Sequence, residues 1–184
     1  MLQKQKLFAF LGVRGSGKDY RIGLLKQQYP NLQVLNFKDP LVEMCQKIHG
    51  TNIQHYEDFK QSVLGCTDIE KSKKLLEIEP NLVTGRILLQ RLGTEVLREY
   101  DPDIWTSLFI AKALDILKEN KPIACGDLRF PNELEALCAL RLYNVDVQLT
   151  FCDYKSFRYC DNDPHISERM AQMFKIFKKD VKNG

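Results

Sequence analysis

The stretch Lys6-Leu7-Phe8-Ala9-Phe10-Leu11-Gly12-Val13-Arg14-Gly15-Ser16-Gly17-Lys18-Asp19 joins an apolar run to a glycine-rich turn that ends in a lysine. Residues 6–13 read as a buried strand, because nearly every side chain is apolar rather than every second one. Residues 19–28 read as a helix, with Ile22 and Leu25 facing inward and Leu24 beside them. The turn between them, residues 12–18, matches GxxxxGK. Glycines at these places let the backbone wrap an anion so that successive N–H groups point at it. The helix that follows adds the partial positive charge of its N-terminus. Lys18 can then reach the β- and γ-phosphates of a nucleotide, which makes ATP the expected cofactor and Mg²⁺ its companion. The position after the lysine, where Ser or Thr would ligate Mg²⁺, holds Asp19. A carboxylate can also hold Mg²⁺, directly or through water, although it adds negative charge beside the phosphates. The competing reading is a glycine-rich turn that binds nothing, and the strand–loop–helix setting weighs against it. The loop says nothing about the acceptor.

Outward from this turn, strands and helices alternate. A second strand is expected over residues 32–37 and a helix over 40–49, opened by Pro40, whose missing N–H costs nothing in a first turn. Residues 51–80 are polar and lysine-rich, with only Phe59, Val63 and Leu64 as anchors. They read as a mobile, partly helical excursion. A helix returns over 87–98 with Leu89, Leu92 and Val96 at core spacing, and Asp101-Pro102-Asp103 ends it. Trp105, Leu108, Phe109 and Ile116 mark the next helix. A short strand over 122–125, a helix over 131–141, a strand over 145–151 and an apolar stripe from Ile166 to Phe177 complete the chain. Alternation of this kind predicts a parallel sheet flanked by helices in a three-layer α/β fold. Ligands of such sheets sit at the carboxyl ends of the strands, where the candidate residues fall.

The 184 residues suit one domain, and 44% hydrophobic with 28% charged residues predicts a filled core under a water-compatible surface. A formal charge of +3 gives little support for a nucleic-acid partner, which calls for a denser basic face. No apolar run is long enough to span a membrane. The six cysteines form no CxxC pair, so they read as reduced thiols rather than a zinc site, in a cytoplasmic protein. The expected partner is a small-molecule substrate, with neither nucleic acid nor membrane; homodimerisation is left open.

A second constellation follows the apolar run at residues 123–125. Gly126-Asp127 ends that strand in a carboxylate, the form of an aspartate that orients Mg²⁺ or its waters. An aspartate capping the next helix would look the same. Arg129 suits a phosphate clamp and also suits an ordinary surface. Arg91, Thr94 or Glu95, and Arg98 share one face of the expected 87–98 helix, which by spacing alone is a solvated polar face. Arg158 lies in the polar stretch 153–164 as either a lid arginine or a loop residue. His165 could serve as a base, but phosphoryl transfer to a phosphate needs none.

Taken in order, five segments resemble the deoxynucleoside monophosphate kinases of bacteriophages, within the P-loop kinases. They are GVRGSGKD at 12–19, FKDPLVEMCQKIHG at 37–50, QRLGTEVLREYDPDIW at 90–105, GDLRFPNE at 126–133 and HISE at 165–168. That family commonly carries Asp after the loop lysine, so the resemblance makes Asp19 a family trait. It implies a single kinase domain over 1–184, with an acceptor-binding region at about 37–105 and a lid at about 153–165. By the same resemblance Phe37, Asp39, Gln90, Thr94, Arg98, Asp103, Trp105 and Glu133 belong to the acceptor site. Lys18, Asp127, Arg129 and Arg158 are the implied catalytic residues, and Asp19 and Asp127 the metal ligands. For His165, Ser167 and Glu168 it implies no role. The implied activity moves the γ-phosphate of ATP to a (deoxy)nucleoside monophosphate. Kinases of dephospho-coenzyme A or phosphomevalonate share the loop, as would a nucleotide-binding module that had lost transfer.

Overall fold

The computed structural model describes residues 4–12, 15–50, 53 and 55–152. The apolar run forms strand β1 (Gln5–Leu11), and the lysine of the turn opens helix α1 (Lys18–Gln28). Then come β2 (Gln33–Val34), α2 (Asp39–His49), α3 (Tyr56–Gln61), α4 (Ile69–Ile78) and α5 (Gly85–Gln90). A π-helical turn (Arg91–Val96) runs into α6 (Leu97–Tyr100), and α7 (Ile104–Lys118) follows. Strand β3 (Ile123–Leu128), α8 (Pro131–Ala139), a 3₁₀ turn (Leu140–Tyr143) and β4 (Val145–Phe151) complete the described chain.

The four strands are parallel in the order β2-β3-β1-β4. Each face of this sheet is covered, which is why β1 is apolar on both sides. On one face Leu7 and Ala9 of β1 pack with Phe109, Ala113 and Leu117 of α7 and Leu137 of α8. On the other, Phe8 and Phe10 pack with Ile22 of α1. This is the three-layer α/β arrangement of the P-loop fold. Ile22 is buried as expected, whereas Leu24 is 40% exposed.

The chain divides into two compact units, one of residues 1–37 and 106–184, the other Lys38–Trp105. The sheet belongs to the first. The second is helical, and its core gathers Leu41 and Cys45 of α2, Phe59 of α3, Leu89 of α5 and Trp105.

The 51–80 excursion contains two helices that the sequence reading did not resolve. Phe59 anchors the first at full burial and Val63 is buried too, while Leu64 is 43% exposed. Asp68 caps the second by accepting the Lys71 N–H at 3.1 Å, at the start of a lysine-rich helix whose Ile69, Leu75 and Leu76 are partly buried. Thr84 caps α5 in the same way through the Ile87 N–H. Ser62 and Val63 pair with the chain entering α5: the Gly85 N–H donates to Ser62 O at 3.0 Å and the Leu64 N–H to Val83 O at 2.8 Å.

Gly85 is required by this close approach, because a Cβ there would run into the carbonyl oxygen of Phe59 and lie 3.1 Å from its ring. Backbone cannot step aside as a side-chain tip can. Gly85→Ala is expected to lower stability by about 1–3 kcal/mol, the usual cost of overpacking, as a shifted midpoint in chemical denaturation. An unchanged midpoint would show that the helix entry can move away at no cost.

The expected 87–98 helix is interrupted. Val96, expected in the core, is 52% exposed. The π-turn is the reason, since its wider turns carry Val96 off the line that Leu89 and Leu92 begin.

Candidate functional site

The phosphate loop is built on the end of β1. Leu11 O accepts the Cys152 N–H at 2.7 Å, which holds the chain leaving β4 directly against the start of the loop. A Cβ on Gly12 would lie 2.5 Å from the Cys152 carbonyl oxygen and run into the Ser16 side chain. Gly12 is therefore the residue that lets the loop turn inside this gap. Gly15 (φ 75°) and Gly17 (φ 84°) take left-handed conformations that side chains resist, and Gly17 is the N-cap of α1. Val13 and Arg14 lie outside the described residues.

Lys18, the first residue of α1, is folded into the loop and only 9% exposed. Its ammonium donates to Gly12 O at 2.6 Å and to Ser16 Oγ at 3.4 Å, and Ser16 is itself buried. A buried cation on a helix N-terminus is the arrangement that an anionic phosphate chain would satisfy. Asp19 is exposed in the first turn of the same helix.

Strand β3 lies beside β1, so its carboxyl end reaches the same edge of the sheet. The register runs Ala9 to Cys125 and then Leu11 to Leu128, two residues of β1 against three of β3. The extra residue is accommodated at Gly126-Asp127, and a bulge of this kind re-aims a side chain at a strand end. Asp127 Oδ1 accepts the Phe37 N–H at 2.9 Å and lies 3.4 Å from Cys125 Sγ. The Gly126 N–H donates to Asn36 Oδ1 at 3.1 Å. Burial and then the neighbouring Asp127 charge push the Cys125 thiol well above its usual range, so it stays protonated and serves as a donor. Cys125 thus supports the carboxylate and Asn36 the main chain beside it, and sequence reasoning missed both. Their signal lay in their positions, Asn36 directly before Phe37 and Cys125 two residues before Asp127.

Glu133 is 2% exposed, and its Oε2 accepts the Arg129 N–H at 2.7 Å and the Phe130 N–H at 3.0 Å. This is the N3 carboxylate of a capping box, with Pro131 in the first turn. It fixes the backbone of Arg129 just past the end of β3. Phe37 enters the site through its main chain, since its ring is 2% exposed and stacks on Phe109 with centroids 4.0 Å apart.

Asp39, Gln90, Thr94, Arg98, Asp103 and Trp105 belong to the second unit. Asp39 sits in the first turn of α2. Gln90 ends α5, Thr94 lies in the π-turn and Arg98 in α6, each half-buried, while Asp103 is exposed before α7. Trp105 is 3% exposed and its indole N–H donates to Gly93 O at 3.0 Å. Arg158, the 153–165 lid, His165, Ser167, Glu168 and the 166–177 stripe lie outside the described residues.

Asp19 and Asp127 offer the hard carboxylate oxygens that suit Mg²⁺, which is commonly held by one or two carboxylates together with phosphate oxygens and water. They therefore fit that ion in the presence of a nucleotide. Among the described residues no cluster of three or more His, Cys, Asp or Glu could hold a metal without one. No described helix is long and apolar enough to cross a membrane.

No family model matches the chain, and no curated protein sequence matches it significantly. Solved structures do resemble it. One is a chain of the Pnkp1/Rnl/Hen1 RNA repair complex, with a TM-score of 0.50 and 11% identity over 98% of this chain and 47% of that one. This chain thus spans about half the length of that neighbour. Another structure of a Pnkp1/Rnl/Hen1 complex matches with a TM-score of 0.44 and 11% identity, over 89% of this chain and 44% of its counterpart. A variant of the Mycobacterium tuberculosis APS kinase CysC has a TM-score of 0.41 and 13% identity, over 96% of this chain and 99% of that one. At such identities the likeness is one of fold.

Proposed function

We infer that the chain is a P-loop kinase that moves the γ-phosphate of ATP to a (deoxy)nucleoside monophosphate. The observation that carries the reading is the buried Lys18 ammonium, held inside a glycine loop between β1 and α1. Beside that loop, adjacent strand β3 ends in a supported carboxylate. The acceptor class rests on the ordered resemblance of the five sequence segments and on the position of Asp39, Gln90, Thr94 and Arg98 in a unit of their own.

In this reading the loop N–H groups and the N-terminus of α1 bind the phosphate chain, and Lys18 neutralises charge developing on the transferred group. Asp19 and Asp127 would hold Mg²⁺, whose charge would offset that of the phosphate chain. Asp127 is oriented for this by the Phe37 N–H and the Cys125 thiol. Arg129 contributes a guanidinium to the phosphate oxygens from a backbone fixed by Glu133. The acceptor phosphate is itself the nucleophile, so positioning and electrostatics supply the catalysis and no base is needed.

The test is ADP release from ATP–Mg²⁺ with each common nucleoside monophosphate in turn, deoxy and ribo. Strong stimulation by one or a few deoxynucleotides is expected. ATP binding without stimulation by any of them would overturn the acceptor assignment, leaving another small-molecule acceptor or a non-catalytic module.

A further inference from the structure

The π-turn and the sole tryptophan of the chain are one device. In an unbroken α-helix the Leu97 N–H would bond to Gly93 O, four residues back. Here the Leu97 N–H goes to Leu92 O instead, five residues back. The Gly93 carbonyl is thereby released from its regular partner, and the Trp105 indole N–H takes it at 3.0 Å. Gly93 is buried, and a Cβ on it would run into the Leu41 side chain, so the widened turn packs close against α2 and a larger residue there would have to displace Leu41. The indole is 3% exposed among Leu41, Cys45, Phe59 and Leu89, so its single donor would be stranded without this carbonyl.

The wide turn also has a geometric effect on its outer residues. Gln90, Thr94 and Arg98 are spaced four apart, which a regular turn of 3.6 residues carries progressively round the helix. A turn closed over five residues keeps such a set nearer to one line. Insertions of this type are frequent at functional sites.

We propose that Trp105 is a positioning residue: its indole N–H holds the π-turn at Gly93 and so aligns Gln90, Thr94 and Arg98 toward the acceptor. The alignment part rests on the proposed function, whereas the lock itself does not. The two are separated by readouts on the same protein.

The lock is read first without any activity. The single tryptophan gives one indole N–H resonance in ¹⁵N-labelled protein, and slow solvent exchange is expected of it. Fast exchange would overturn the lock. In Trp105→Phe, which keeps an aromatic ring and loses the donor, amide exchange across residues 91–97 should quicken while α2 and α3 keep their protection. Uniform protection throughout would also overturn it.

The alignment is read from kinetics. Wild-type protein and Trp105→Phe are compared with the acceptor nucleotide that stimulates ADP release. KM for that acceptor should rise roughly tenfold or more, as for loss of one bond to a buried carbonyl, while KM for ATP stays unchanged. Equal KM values for the acceptor in a folded variant would overturn the alignment. A wild-type protein that no monophosphate stimulates would instead overturn the functional reading, and the exchange data would still judge the lock.

Discussion

Lys18→Ala should release ADP at least about a hundredfold more slowly than the wild type at saturating ATP, acceptor and Mg²⁺. The size of the effect follows from where the charge sits. A surface lysine near a nucleotide is screened by water and replaceable, but Lys18 is 9% exposed and its ammonium already lies within 2.6 Å of Gly12 O. At such a place the local dielectric is low, and the cation requires no reorganisation to meet charge as it develops. The substitution should leave the fold in place. The sheet core formed by Leu7, Ala9, Phe109, Ala113 and Leu137 does not include Lys18. Circular dichroism and thermal melting of the variant would therefore resemble the wild type while turnover collapses. Near-normal turnover would remove the phosphate loop from the mechanism altogether.

The parts of this molecule that were legible in the sequence are those governed by local rules. A glycine loop between an apolar strand and a helix has few structural solutions, and residues 12–19 adopt the expected one wherever they are described. β4 was readable because Val145, Val147, Leu149 and Phe151 recur at every second position. Strand β3 was read as closing on Gly126 and Asp127, which are instead followed by Leu128 in the same strand. They remain in the strand because Leu128 still pairs with Leu11 after the bulge. That bulge depends on the neighbouring strand, and no local pattern announces it.

The second unit was less legible, for a related reason. The helix over residues 69–78 exposes Lys71, Lys73 and Lys74 and turns Ile69, Ser72, Leu75 and Leu76 to its less exposed face, a short stripe inside a polar stretch. It is held by the Asp68 cap and by the buried Ser72 hydroxyl, which accepts the Val63 N–H at 3.1 Å. Capping is a local signal that could have been used; the serine contact joins residues nine apart and could not. The π-turn was invisible because the indole that takes the Gly93 carbonyl lies twelve residues downstream. Periodicity assigned Val96 to the core by assuming a constant 3.6 residues per turn, and a tertiary hydrogen bond changed that number locally.

Arg129→Ala should cost turnover roughly three to five decades, the range seen when a guanidinium that stabilises phosphoryl-transfer charge is removed. ATP affinity should change far less, because ground-state binding is shared among the loop N–H groups, the helix N-terminus and Lys18. Position makes the prediction specific. Arg129 is the first residue beyond β3, two past Asp127, and its main chain is fixed by Glu133 Oε2 at 2.7 Å. A solvated surface arginine would need no such anchoring by a carboxylate that is 2% exposed. Arg129→Lys should restore only part of the loss, since a point charge on a flexible stem cannot reproduce a planar fork across two phosphate oxygens. Glu133→Ala should resemble a weaker form of the same defect: the guanidinium is retained, but two backbone N–H groups lose their acceptor and α8 loses its cap. An unchanged rate in Arg129→Ala would return this residue to the surface, and the buried glutamate would then be a helix cap and nothing more.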